Sequence, residues 1–493
     1  MQELDLAKDA IFTQRTAPAA RNRYLYYPDH LVRMPHPSFG FFANLYSLWT
    51  EPIFQGIIQG TVSEIFKDAR NSDIEDESVG DFFSRRFGKA PVERIVSAIH
   101  HGIYAGDVWQ LSAKSLFPTI WRGEGQEGSV WMGMMKARSE GMEVPKHEAT
   151  FIQKMQKFKW EPLLKATLKD TSVFTFKDGL GMLTDGLARF LLASGKVDFK
   201  TSTPVESLAL SNDKENIRVI TKESQQANNH GYVVSALAPE TLNKLHRTEG
   251  QRLIPSIPSV TVMTVNLYYR TPNLHPPGFG YLIPSATSFE QNPERALGAV
   301  FDTAYSPSPE DLNTVNWMND YTDALKAARD KGRLVNINDF AWYNLPEKAN
   351  MQDDVKERGT KLTVMLGGHN WDGWPAYPDE QEGLALAKAV VERHLGIKED
   401  PEVWAVNIQK DCIPQYTVGH EKRLKTAHNN LQREYKGKLR VAGNWMSGVG
   451  VNDCLRSAWE VVQGIKEGTR GTGLEHVGSN EFERIKSVKP DEG

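Results

Sequence analysis

KLRVAGNWMSGVGVNDCLRSAWEVV, residues 438–462, is the stretch on which the reading of this chain turns. Leu439 to Ala442 is a short apolar run of strand type. Gly443, Gly448 and Gly450 then mark a turn, and a helical pattern starts near Asn452. Two glycines two positions apart let a backbone approach a flat ligand closely. Asn452 or Asp453 can cap the helix, whose free N–H groups and positive dipole end point at whatever lies above the turn. The same residues also suit an ordinary strand–turn–helix with packing glycines, and at this level both readings stand.

Outward from that segment, the chain has 493 residues, with 58 Lys+Arg against 62 Asp+Glu and a net charge of −4. At about 150 residues per domain this length holds two to four domains and at least one sizeable core. The near balance of charge excludes a nucleic-acid binder that works by bulk charge. The two cysteines, Cys412 and Cys454, make neither a disulfide framework nor a CxxC motif. Hydrophobic content of 40% and a mean hydropathy of −0.47 read as soluble and globular. No uncharged apolar run approaches the ~20 residues of a membrane-spanning helix. The opening MQELDLAKDAIFTQR carries Glu3, Asp5 and Asp9, unlike a signal peptide or an acid-poor presequence. It reads as an amphipathic helix with Leu4, Ala7 and Ile11 on one face, as if in the middle of a domain.

There is no internal repeat. Residues 18–145 are mostly helical by pattern and rich in aromatics, with Phe39, Phe41, Phe42, Tyr46, Trp49, Phe54 and Phe66 close together. This cluster reads as a buried helical core or as an apolar patch that dips into a membrane interface, and the two are compatible. Pro91 to Gly106 reads as one helix. Residues 175–240 give a helix and then three short strands, STPVESLALS, NIRVITKE and GYVVSAL, the order of a β-meander. From 259 to 437 strands alternate with helices near 380–396 and 421–435; the stretch 306–360 reads as a surface insertion. Residues 465–493 lack periodicity and read as a disordered tail. There is no Ser/His/Asp order, no paired-carboxylate motif and no metal-spaced cluster. His100 and His101 would point about 100° apart on a helix, so they read as packing or surface residues.

The 438–462 segment resembles the C-terminal FAD-binding signature of the flavin-containing amine oxidase superfamily: VAG, then GVGVND, then a helix. Within it, the chain resembles the protoporphyrinogen oxidase family, in a fungal variety. RNRYLYY (Arg21 to Tyr27), HGIYAGD (His101 to Asp107), LSAKSLFP (Leu111 to Pro118), PPGFGYLIPS (Pro276 to Ser285), TVMLGG (Thr363 to Gly368) and CIPQYTVGH (Cys412 to His420) match that family in order and spacing. The resemblance covers nearly the whole chain. It implies an α/β fold, α+β in parts: a discontinuous FAD domain, a mixed-sheet substrate domain and a helical membrane-facing domain. Mapped here, residues 1–17 are a residual N-terminal helix, 18–145 the helical domain, and 146–174 with 259–437 the substrate domain. Residues 175–258 and 438–467 are the remaining FAD domain, and 468–493 the tail.

The resemblance also implies oxidation of protoporphyrinogen IX to protoporphyrin IX in haem biosynthesis, with dioxygen as acceptor and hydrogen peroxide as product. The chemistry lies with noncovalent FAD, so no catalytic side chain is assigned and no metal is expected. On the substrate side the resemblance assigns Arg23 to a propionate and Phe279 and Leu282 to an apolar clamp on a pyrrole ring. Met365 would line the same cavity, and Gly106 would let the backbone approach the ring. On the cofactor side it assigns Gly448, Val449 and Gly450, with Val451, Asn452 and Asp453 opening the helix and the backbone of Val205 meeting the adenine. The negative pyrimidine side of a reduced flavin suits that helix terminus. The implied setting is the mitochondrial inner membrane as a peripheral protein, with ferrochelatase and a second copy of the chain as further partners and no nucleic acid.

Such a fold opens with a strand, a GxGxxG turn and a helix that cradles the pyrophosphate. The one match to that spacing among the 39 glycines is Gly123, Gly125 and Gly128, which reads as a polar surface loop because no strand precedes it and Glu124 and Glu127 flank it. The first βαβ unit of the family therefore has no counterpart here. Two explanations compete: a clipped gene model or fragment, and a shortened paralogue that holds FAD poorly. Two further readings of function stay open, another FAD-dependent amine-oxidase-like oxidoreductase and a non-catalytic porphyrin-binding protein.

Overall fold

The computed structural model describes residues 2–223, 227–246, 251–305, 359–479 and 481–485. Its organising element is a seven-stranded mixed sheet. The strand order is Val403–Pro414, Ser259–Tyr269, Thr360–Gly367, Ala296–Phe301, Gly280–Leu282, Tyr24–Tyr26, Leu31–Arg33. All neighbours are antiparallel except Gly280–Leu282 and Tyr24–Tyr26, which are parallel. Alternation along Ser259–Tyr269 sends Met263, Val265, Leu267 and Tyr269 into the largest core. There they meet Ala387, Val390, Val391 and Leu395 of the helix Glu380–Leu395. Asp379 and Glu382 form a capping box at the start of that helix, and Gly396 ends it in the left-handed region. The opposite face of the sheet carries the helix Ser97–Tyr104. Its Ala98 packs with Leu25, Val32 and Leu282, and the following Ala105 packs with Val260, Val262, Leu297 and Met365.

A second core joins the parallel pair Val233–Ser235 and Leu439–Val441 to the helix His420–Tyr435 through Leu424, Leu431, Leu439, Val441, Trp445 and Met446. Leu208 and Ile217, from the meander Val205–Leu210, Ile217–Thr221 and Asn228–His230, close it. A third core, around Val79, Phe82, Val92, Leu111 and Trp121, lies wholly within the helical region.

The mixed sheet with helices on both faces agrees with the expected fold class. Several local expectations need correction. Residues 1–17 are not a helix: Ala10–Gln14 is a strand that pairs antiparallel with Thr171–Phe176, because strand pairing overrides a weak helical period. The helical region 18–145 contributes two strands, Tyr24–Tyr26 and Leu31–Arg33, to the substrate sheet. The third meander strand is Asn228–His230, whereas Val233–Ser235 pairs with Leu439–Val441. Pro91 to Gly106 is helical only to Tyr104, with a π-turn at Val92–Val96. The expected tail contributes the strand Phe482–Ile485, which adds antiparallel to Met142–Pro145; Arg122 stacks on Phe482, and Arg484 pairs with Glu140 and Glu143. Gly123 and Gly125 lie inside the helix Pro118–Glu127, not in a loop. Gly123 faces Gly133 of the next helix, so this spacing serves close helix packing. Residues 306–358, nearly all of the expected insertion, lie outside the described residues.

The aromatic cluster divides. Phe54 is buried, whereas Phe41, Phe42, Trp49 and Phe66 are 73%, 83%, 81% and 84% exposed on the helices Phe41–Thr50 and Ile57–Glu64 and just beyond. Ile58, Val62 and Ile65 are exposed beside them. No helix among the described residues is long and apolar enough to cross a membrane.

Candidate functional site

Leu282, Gly298 and Met365 stand directly opposite one another on three adjacent strands. Cross-strand partners point to one face, and this face lies under the helix Ser97–Tyr104. A Cβ on Gly102 of that helix would meet Leu282 Cδ1 at 2.8 Å, so the missing side chain is what lets the helix settle on the row. Gly298, at φ +155°, is also obligatory, because a Cβ there would lie 2.3 Å from the Tyr281 carbonyl oxygen. One strand further, Leu25 is in register with Leu282. Arg23, two residues before Leu25, is exposed, and its guanidinium carbon lies 5.5 Å from the centre of the Phe279 ring, within cation–π range. Arg23 thus stacks on Phe279 where the strands Tyr24–Tyr26 and Gly280–Leu282 begin, and the half-buried Leu282 and Met365 lie in one cross-strand row under the helix.

Gly106 follows the helix after Ala105, which sits at φ +49°. The close approach at Gly106 is made by the chain itself, because a Cβ would fall 2.2 Å from Gln415 Oε1. The room beside Gly106 is taken by Gln415. Gln415 Nε2 donates to the Tyr104 carbonyl at 2.8 Å and to the Ile413 carbonyl at 3.1 Å. Behind the row, His101 Nδ1 donates to the Ile283 carbonyl at 2.7 Å, and its Nε2 lies 3.0 Å from His369 Nε2. Burial, then His369, holds the His101 imidazole down to about 4, and burial also lowers His369. His101 is therefore a packing residue as expected, but with a specific partner 268 positions away that no local pattern announces.

The cofactor-side turn is built from the second core. Trp445 and Met446 are buried, whereas Ser447, Gly450, Val451 and Asn452 are exposed. Gly448 lies at φ +153°, and a Cβ there would strike the Asp453 carboxyl carbon at 2.1 Å. Gly450, rather than Asn452 or Asp453, is the N-cap of the helix Val451–Lys466. Asp453 reaches back instead and accepts from Gly450 N at 3.3 Å, while Arg456 ties Asp453 to the Ser447 carbonyl. An N-cap glycine brings no side-chain oxygen, so the first N–H groups of a 16-residue helix open onto the exposed turn. Two side chains of the 412–420 segment hold the turn from below. The Tyr416 hydroxyl accepts from Gly448 N at 2.9 Å and donates to the Asn444 carbonyl, and His420 Nε2 donates to the Met446 carbonyl at 2.9 Å. Burial raises the Tyr416 phenol and lowers His420 to about 4, so both keep these hydrogen-bonding forms.

This turn fits the ring end of a flavin: exposed backbone N–H groups, a positive helix end and an apolar rim at Val449 and Val451. The pyrophosphate end differs. Among the described residues no strand–glycine turn–helix forms a phosphate cradle, and Val205 lies on the meander, its only link to the turn being the core that Leu208 shares with Trp445 and Met446. Tyr232, Val234 and Leu237 at the parallel pair are exposed, as are Leu187, Phe190, Leu191 and Leu192 on the helix Gly181–Ala193. Sequence reasoning located the turn at 443–453 and singled out Arg23, Phe279, Leu282 and Met365. It missed Gly102, Gly298, Gln415 and Tyr416, whose roles depend on contacts distant in sequence.

Residues 1–466 match the family model described as flavin containing amine oxidoreductase. The chain is 29% identical over 446 residues to a protoporphyrinogen oxidase of Schizosaccharomyces pombe, covering 89% of this chain and 77% of that one. It is 26% identical over 468 residues to a protoporphyrinogen oxidase of Homo sapiens, covering 93% and 81%. Among solved structures, the candidate protoporphyrinogen oxidase of Exiguobacterium sp. 255-15 superposes with a TM-score of 0.62 at 16% identity, covering 95% of this chain and 84% of that one. That last likeness speaks to the fold.

Proposed function

The chain belongs to the flavin containing amine oxidoreductase family, and on that premise we propose that it oxidises protoporphyrinogen IX to protoporphyrin IX. The observation that carries this reading is Arg23 over Phe279 at the end of the apolar row Leu282–Met365. A tetrapyrrole with two propionates asks for such a set: a cation for a carboxylate and apolar walls for pyrrole rings. In the overall reaction six hydrogens leave the macrocycle, as six electrons and six protons, and three dioxygen molecules become three of hydrogen peroxide. The flavin, when bound, supplies the electron acceptor. The chain's part is to bind and orient. Arg23 fixes a propionate, Phe279 and Leu282 hold a ring edge, and the buried Ala105 and Leu297, with Met365 packed on them, keep water from below. Gly448 to Asn452 would hold the flavin ring, with Asp453 keeping the turn in shape.

The same reading seats the chain on a membrane, where a poorly soluble porphyrin would be delivered and removed. The exposed set Phe41, Phe42, Trp49, Val62 and Phe66 supports it. The mitochondrial inner membrane, ferrochelatase as consumer of the product and a second copy of the chain belong to this proposal through the resemblance alone. The test is direct. Purified chain with saturating FAD is mixed with protoporphyrinogen IX in air, and porphyrin fluorescence is followed. FAD-dependent growth above the autoxidation rate is expected. A flavin-loaded chain that leaves protoporphyrinogen untouched but turns over a primary amine would overturn the reading.

A further inference from the structure

Gln415 and Tyr416 are consecutive residues, and they serve opposite sides of the site. The strand Val403–Pro414 ends just before them, and Thr417 N closes back on the Gln415 carbonyl at 2.9 Å. Gln415 fills the space at Gly106 and holds the Tyr104 carbonyl, so it braces the turn on the substrate side. Tyr416 holds Asn444 and Gly448, so it braces the turn on the cofactor side. The pair is itself anchored. Gln415 N donates to the Pro258 carbonyl at 2.8 Å, and the Tyr416 carbonyl accepts from Ser112 N at 2.7 Å. The Tyr416 ring is 1% exposed, stacks on His420 with centroids 4.3 Å apart and 12° between planes, and meets Tyr104 at 5.9 Å. A phenol has one donor and accepts through its oxygen, and both functions are used on the same turn.

We propose that Gln415–Tyr416 is a two-residue spacer that sets the separation between the substrate-side turn at Tyr104–Gly106 and the flavin-side turn at Asn444–Gly448, with Tyr416 and His420 as positioning residues. This rests on the functional reading above for what the two turns carry, but not for the joint itself. Reaction between a bound ring and a flavin depends steeply on their distance, so a joint of this kind acts on turnover more than on substrate affinity.

Tyr416→Phe keeps the ring, the stacking on His420 and the contact with Tyr104, and removes only the hydroxyl. Gln415→Met keeps the volume and removes the donor to Tyr104. Amide hydrogen exchange on the full chain reads the joint without any ligand. Exchange in peptides spanning 444–450 is expected to rise about tenfold in Tyr416→Phe, the worth of one lost hydrogen bond. Peptides spanning 101–108 should hardly change. Gln415→Met releases the Tyr104 carbonyl rather than an amide N–H, so exchange across 444–450 should stay as in the wild type. With saturating FAD and protoporphyrinogen, Tyr416→Phe should lower kcat about tenfold with KM nearly unchanged. Unaltered exchange across 444–450 would overturn the joint, and raised exchange with an unchanged kcat would overturn its positioning role. If the wild type does not turn over protoporphyrinogen, the functional reading fails on its own. Riboflavin fluorescence quenching then decides: weaker binding by about tenfold in Tyr416→Phe supports the spacer, and equal binding overturns it.

Discussion

His101 and His369 share a single hydrogen bond between their Nε2 atoms, 3.0 Å apart. Because His101 Nδ1 must donate to the Ile283 carbonyl, its Nε2 is the acceptor and His369 Nε2–H the donor. The pair therefore cannot carry a proton on both Nε2 atoms, and it ties the helix over the apolar row to the end of the strand that carries Met365. A proton on His101 Nε2 would set two N–H groups against each other.

Stability should accordingly fall on mild acidification. Burial holds His101, His147, His275, His394 and His420 at about 4, against 6.5 for an ordinary imidazole. Between those values the unfolded chain binds more protons than the folded one. The stabilisation is whole above about pH 6.5, declines as pH drops through this window, and has no further to fall from this source below about 4. Melting temperature measured from pH 7.5 to 5 should drop by several degrees. A flat profile would show that these rings are not held neutral.

Arg23→Ala should raise KM for protoporphyrinogen by about 10- to 100-fold, since a charge-assisted hydrogen bond is worth roughly 1.5–3 kcal/mol, while kcat and thermal stability stay close to wild type. Arg23→Lys should recover part of the loss. An unchanged KM in the alanine variant would remove Arg23 from the substrate site.

Binding to vesicles is expected to depend on the exposed aromatics. Replacing Phe42, Trp49 and Phe66 together by serine removes three side chains that are each more than 80% exposed, so the fold should lose little. Flotation with liposomes should fall steeply while circular dichroism is unchanged. Equal flotation of the triple variant would place the contact elsewhere.

The two ends of the cofactor site make a different demand. The ring end is built, whereas the described residues hold no phosphate cradle. FAD and riboflavin should therefore bind this 493-residue chain with affinities within about tenfold of each other, that is about 1.4 kcal/mol. Quenching of flavin fluorescence by titrated chain measures both. FAD binding a thousandfold tighter would reveal a pyrophosphate site that the described residues do not show.

Legibility in the sequence followed the range of the interactions. The strand Leu439–Val441, the turn at Gly448 and Gly450 and the helix after it could be read because their signals lie within a dozen residues. The helices Glu380–Leu395 and His420–Tyr435 carried their period. Arg23 and Phe279 were found one by one, through resemblance; that they meet depends on parallel pairing between Tyr24–Tyr26 and Gly280–Leu282, more than 250 positions apart, which no local pattern encodes. The strand Ala10–Gln14 was misread for the same reason, since its partner Thr171–Phe176 decides its state. At Gly102 and Gly298 only the contacts with Leu282 and Tyr281 explain why a side chain is excluded.

The strand Phe482–Ile485 has a consequence for biogenesis. Its partner, Met142–Pro145, leaves the ribosome more than 300 codons earlier, with the salt bridge from Arg484 to Glu140 spanning 344 positions. Throughout that interval the edge at 142–145 has no mate from its own chain. Its open N–H and carbonyl groups, with Met142 alongside, are available to any passing extended peptide. Completion of the helical region is thus postponed until the chain has been made as far as residue 485.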